Sequence, residues 1–221
     1  MRASLSLAAL VVLAASARAE SVVQHRFEAA TAPSATVRRV IVDIPSGEIV
    51  IRNAQTNRIA VSGTVSREPD SERSRDKEQR IVNDTGVEIV VRRDEAVIRR
   101  KFGPNARSWR AQSFSDYDVV VELPKGLNVD VKTTTGDVLI EGSFGDIDVD
   151  LRAGEVDVRL PRADVRELRA SCRIGEVRTN IGNEIVEREG VFPGQTRYLN
   201  PQGKYFVNVH TTVGEVRVEL K

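Results

Sequence analysis

Three groups of side chains in this chain have chemistry that could act on something outside it. Asp146, Asp148 and Asp150 set carboxylates at alternate positions of one short segment. Such a row can hold calcium or, against an acidic sugar, serve as an acid and base pair. The same spacing also makes it one face of an extended strand. The segment lacks the glycine and the distal glutamate that close a calcium loop, so a solvated strand face is the simpler reading. The second group lies in residues 99–117, where Arg99, Arg100, Lys101, Arg107 and Arg110 interleave with Phe102, Trp109 and Phe114. Aromatic faces among cations can grip an anionic polymer or a sugar ring. Trp109, Arg107, Arg110 and Phe102 are therefore the candidate ligand-binding residues. The competing reading is a long hairpin loop whose aromatics fold back over one end of a β stack, because an open sheet end has to be covered. The third group is small: one cysteine, Cys172, and two histidines, His25 and His210. These cannot assemble a zinc site or a Cys–His nucleophile, and G-x-S-x-G, P-loop and H-E-x-x-H patterns are missing. The expectation is no catalytic residue, no metal and no cofactor. Cys172 alternates with Ala170 and Ile174, which reads as a small buried hydrophobe, and alone it can form no internal disulfide.

The elements that must position these groups are announced by a repeated module. It appears as Gly136-Asp137-Val138-Leu139-Ile140, Gly145-Asp146-Ile147-Asp148-Val149 and Gly154-Glu155-Val156-Asp157-Val158, starting nine residues apart. Further copies begin at Gly47, Gly175 and Gly214. Alternation at period two puts Val129, Val131 and Thr133, and likewise Ile147, Val149 and Leu151, on inward faces. Glycine supplies positive φ or close backbone approach, so Gly136, Gly145 and Gly154 read as corners. Either successive strands pair as antiparallel hairpins, or each is half a coil and residue i stacks on about i+18. At that offset Glu141 falls over Arg159 and Asp148 over Arg166, and at 21 residues Asp157 falls over Arg178. The coil also sets Val138 and Ile140 against Val156 and Val158, followed by Val177 and Thr179. The predicted class is all-β, a solenoid-like stack of short strands with glycine corners, with an antiparallel β-sandwich as the alternative.

Residues 1–19 read as a signal peptide, with Arg2, an apolar run from Leu5 to Leu13 and small residues at Ala17 and Ala19. That run falls well short of the ~20 residues a spanning helix needs, so export is expected without stable membrane insertion. Residues 20–36 read as a flexible lead-in and 37–221 as a single β domain, irregular over 37–117 and regular over 118–221. Ser66–Arg80 contains no apolar residue and reads as a solvated loop, or a surface helix from Ser71 onward. The chain carries 33 basic and 32 acidic residues; without Arg2 and Arg18 the balance is 31 against 32, which argues against a nucleic-acid partner.

The run from Asp118 to Gly142, the module beginning at Gly154, and the closing strand His210–Leu220 resemble the bacterial putative-adhesin family of β-strand-repeat proteins. The resemblance spans about Val37 to Leu220. It implies a repetitive β fold in an exported chain, periplasmic or at the cell surface, serving as a non-enzymatic adhesin or interaction scaffold. The partner would be an envelope protein or polysaccharide. The family offers no catalytic residues to carry over. The rival class is a carbohydrate-binding or carbohydrate-active module using the acidic row and the Trp109 loop.

Overall fold

The computed structural model describes residues 22–32, 36–106, 115–182, 184–188 and 194–221. The expected signal peptide, and Arg107, Trp109 and Arg110, lie outside the described residues. The chain is all-β. Its strands are β1 (Val23–Ala30), β2 (Arg39–Asp43), β3 (Gly47–Asn53), β4 (Ala60–Arg67), β5 (Thr85–Arg92), β6 (Glu95–Phe102), β7 (Asp116–Leu123), β8 (Asn128–Thr135), β9 (Val138–Glu141), β10 (Ile147–Leu160), β11 (Val165–Ile181), β12 (Glu184–Arg188), β13 (Gly194–Leu199) and β14 (Tyr205–Leu220). Among the described residues there is one α-helix, α1 (Arg75–Asn83), which follows a 3-10 turn and joins β4 to β5.

The alternating segments stack in parallel, in register, in two rows. One row runs β6, β2, β8, then the first halves of β10, β14 and β11. The other runs β7, β3, β9, then the second halves of the same three long strands. Inward side chains of both rows, Val129, Val131, Val138, Ile140, Val149 and Val158 among them, meet in one buried cluster. Small aliphatic residues recur at each level, so like shapes pack on like without gaps.

The rows join at a column of glycines. Gly47, Gly136, Gly154, Gly214 and Gly175 have φ between 111° and 139°. A Cβ on Gly154 would sit 1.9 Å from the Gly136 carbonyl oxygen, and one on Gly214 would sit 1.8 Å from that of Gly154. Each corner thus needs glycine twice, for its dihedral and for the backbone stacked beneath it. The column ends at Tyr117, which occupies the level below Gly47. Gly145 is not such a corner. The turn before β10 takes its positive φ at Gly142 (139°), while Gly145 is held small by the Asn128 Oδ1 2.1 Å from where its Cβ would lie.

Val138 pairs with Val156, and Glu141 with Arg159, as the coil expectation requires; Leu139–Glu141 does not pair with Asp146–Asp148. The expected climb, however, holds only from β8–β9 to β10. Above Val156 and Val158 lie Val216 and Val218, with Val177 and Thr179 one level further on, because β14 is inserted between β10 and β11. Asp148 therefore meets Asn208 rather than Arg166, and Asp157 is bonded by Arg159 at 2.6 Å rather than facing Arg178. At the other end β2–β3 is likewise flanked by the later β6–β7.

Both ends are finished by antiparallel strands. β4 pairs with β7 and β1 with β4, while β5 pairs with β6, and β1 packs against β5 so that this end nearly closes on itself. β1 falls inside the segment 20–36 that reads as a flexible lead-in; pairing along all eight of its residues fixes it instead. The charged segment after β4 does form a surface helix, although Glu78 turns inward to bond Arg67 at 2.5 Å. At the opposite end β12 and β13 run antiparallel to β11.

Candidate functional site

Of the predicted ligand-binding residues only Phe102 is described. Its ring packs on Ile81 and Ala106, with the Arg100 guanidinium 5.1 Å from its centroid. The acidic row points outward, and its atoms are engaged by the next strand: Asp146 Oδ1 accepts from the Phe206 amide at 2.9 Å and Asp148 Oδ1 from the Asn208 side chain at 2.7 Å. Asp150 lies between Lys132 and His210. No cluster of three or more metal-binding side chains forms among the described residues. Cys172 is buried, with its Sγ donating to the Gly214 carbonyl at 3.3 Å, and burial pushes its thiol pKa up. A protonated, enclosed thiol is a packing group.

A candidate site lies on the outer face where β14, β11 and β13 run side by side. Leu168, Ala170 and Cys172 point into the core, which directs Glu167, Arg169 and Ser171 out. The same rule aims Asn208 and His210 outward from β14, and Gln195 and Arg197 from β13. Arg169, Ser171, Gln195, Arg197 and Asn208 line a trough of about 370 Å³. Beside it Glu167 Oε1 accepts from Arg169 Nε at 2.7 Å and from Arg197 Nε at 3.0 Å. The hydrogen bond from Arg169, with the charges of both arginines, holds the Glu167 carboxyl below its ordinary pKa. Ser171 Oγ lies 3.0 Å from His210 Nδ1.

One margin of the trough is apolar. Leu199 and Phe206 flank Glu167 on either side and are 57% and 48% exposed. The register of β11 slips between Val165 and Glu167, and this bulge frees Arg166 to lie over the Phe206 ring at 5.7 Å. Sequence reasoning missed this site because its residues come from three strands and are far apart in the chain, from Glu167 to His210. One signal was available: Val207 and Val209 set the inward phase of β14, so Phe206 had to be an outward aromatic.

No family model matches the chain. No curated protein matches it either. Among solved structures it is similar to a putative cell adhesion protein from Clostridium sporogenes, at 12% identity and a TM-score of 0.47, covering 90% of this chain and all of that one. It is also similar to putative adhesins from Parabacteroides merdae and Bacteroides fragilis. The first is 10% identical with a TM-score of 0.30, covering 71% of this chain and 63% of that one. The second is 9% identical with a TM-score of 0.29, covering 89% and 96%. Among the described residues, no helix is long and apolar enough to cross a membrane.

Proposed function

We propose that the chain is exported by way of residues 1–19 and works in the cell envelope as a non-enzymatic, adhesin-like binding scaffold. The observation that carries this reading is the trough on β11, β13 and β14. Its polar groups converge from three hydrogen-bonded strands and are anchored by one another, as Arg169 and Arg197 are by Glu167. A binding face on rigid strands loses little side-chain freedom when a ligand arrives. The parallel strands of the central levels add a second support: paired in register, they repeat outward positions at strand spacing, which suits an extended partner.

The test is to incubate the purified protein with isolated envelope polysaccharide and measure retention and reducing-end release together. Retention without release is the expected result. Release that disappears in Ser171→Ala would instead assign a carbohydrate-active role, for which the Ser171–His210 contact is a motivation in the trough itself. No retention on any envelope fraction would overturn the binding role.

A further inference from the structure

We propose that the trough binds an acidic polysaccharide, with Arg169 and Arg197 receiving a sugar carboxylate; this rests on the binding role above. The two guanidiniums are tethered to the same Glu167 oxygen through Nε. That tether engages Nε of each, so the bonds to Glu167 leave out the Nη groups of both. Their side chains stay 65% and 60% exposed. Paired N–H donors on a held guanidinium match the geometry of a carboxylate.

The local charge differs from that of the chain as a whole. Arg169 and Arg197 share one carboxylate here, whereas basic and acidic residues nearly cancel over the full sequence, 33 against 32. Asn208 stands between this basic group and Asp148, and its amide occupies an Asp148 oxygen at 2.7 Å. The remaining lining, Ser171, Gln195 and Asn208, supplies uncharged donors and acceptors of the kind that read sugar hydroxyls. Leu199 and Phe206 give the adjoining apolar margin that the C–H face of a pyranose ring needs.

A densely charged polyphosphate fits less well. Laid across the strands, it would run from the arginines of β11 and β13 over β14 onto Asp148 and Asp150 of β10. A polymer whose charges are separated by hydroxyl-bearing rings can place a carboxylate at the arginines and neutral groups over β14.

The experiment is titration calorimetry of the purified protein with polygalacturonate, its carboxyl-reduced neutral form, and polyphosphate. Polygalacturonate is expected to bind at least tenfold more tightly than either. Arg169→Ala with Arg197→Ala should weaken that binding by tenfold or more, with an unchanged melting temperature showing that the fold survives. Arg169→Lys with Arg197→Lys keeps the charge and should recover only part of the loss, because the forked donors are gone. Equal affinity for the neutral form, a preference for polyphosphate, or full binding by the double alanine variant would each overturn the acidic-glycan assignment. Retention of the same protein on whole envelope material would then show that the broader binding role still stands.

Discussion

The two ends of the stack solve one problem in opposite ways. Parallel strands leave an unpaired edge at each end, and such edges must be covered. At the end carrying β6 and β7, the chain folds β4, β1 and β5 over the edge, packs β1 against β5 and lays α1 across them. The cover is enclosed: Val65 and Val82 are buried, as is the Arg67–Glu78 pair. At the other end the antiparallel cover, β12 and β13, continues the rows, and outward side chains of β13 help build the trough. One end spends its extra elements on closure and the other on display. They also differ in order along the chain: the closed end places the early strands β2 and β3 inside, whereas the displaying end fills its inner level last, with β14.

The largest expected effect follows from that insertion. Val207, Val209, Val216, Val218 and Leu220 are all at most 2% exposed. Burial of each such side chain contributes about 1.5–3 kcal/mol, so together they rival the roughly 5–15 kcal/mol of a whole domain. Deleting residues 205–221 should abolish the cooperative thermal transition. Deleting residues 22–30, which removes β1 from the closed end, should leave a folded protein that melts lower. Circular dichroism melts of both truncations check this, and a cooperative transition without β14 would break the comparison.

Next is Gly154→Val, at the middle of the glycine column. A β-branched residue at φ 139° carries about 1–3 kcal/mol of backbone strain. Its Cβ would also meet the Gly136 carbonyl at 1.9 Å. Gly126 is the control: its φ is 78°, but nothing lies within 4 Å of a Cβ there. Urea denaturation should show Gly154→Val losing more stability than Gly126→Val. Equal losses would remove the close stacking from the account.

At the closed end, Tyr117 is buried beneath the glycine column, and burial raises its pKa from 10.0 to about 12, with Arg100 opposing part of the shift. Its folded pKa exceeds the unfolded one, so its contribution is complete below pH 10 and lost as pH rises through 12. The shift is worth on the order of 2–3 kcal/mol. Tyr117→Phe should therefore lose less stability than the wild type between pH 10 and 12, measured by denaturant unfolding at each pH. Parallel curves would mean that Tyr117 is not shielded from water.

The sequence made the central levels legible because period-two alternation and the glycine module are local signals. Val129, Val131, Val138, Ile140, Ile147 and Val149 are all buried as that pattern requires. Gly145 misled because a glycine spared for lack of room looks the same as one needed for positive φ. The order of levels was not legible: β10, β14 and β11 share one period, so nothing local says which lies between the others. β1 was hidden for another reason. Its inward set of Val23, His25, Phe27 and Ala29 is only partly apolar, and pairing with β4 makes it a strand. The trough inherits both difficulties, since Arg169, Arg197 and Asn208 become neighbours only once β14 has entered its slot. The Trp109 segment stood out because its unusual composition is contiguous, which is a different property from convergence in space.

The smallest expected effect is a gain, at the displaying end. Thr179 is fully buried, and its Oγ1 has no hydrogen-bond partner among the described residues. At its level in the row stand Val218, Val158 and Ile140, all apolar. A buried hydroxyl without a partner forfeits its hydration, a penalty of about 1–3 kcal/mol, and valine has nearly the same shape. Thr179→Val should raise stability by about 1 kcal/mol, which for a chain of this size is a rise of about 2–4 °C in melting temperature. The same change at Thr85 provides the contrast from the closed end, where Oγ1 donates to the Ile81 carbonyl at 2.8 Å. Thr85→Val should destabilise, because it strips a satisfied bond that joins the end of α1 to β5. If both substitutions shift melting in the same direction, hydroxyl satisfaction is not what distinguishes these two sites. If they shift it in opposite directions, the polar groups of the closed end are part of its closure, and Thr179 is a residue the core merely tolerates.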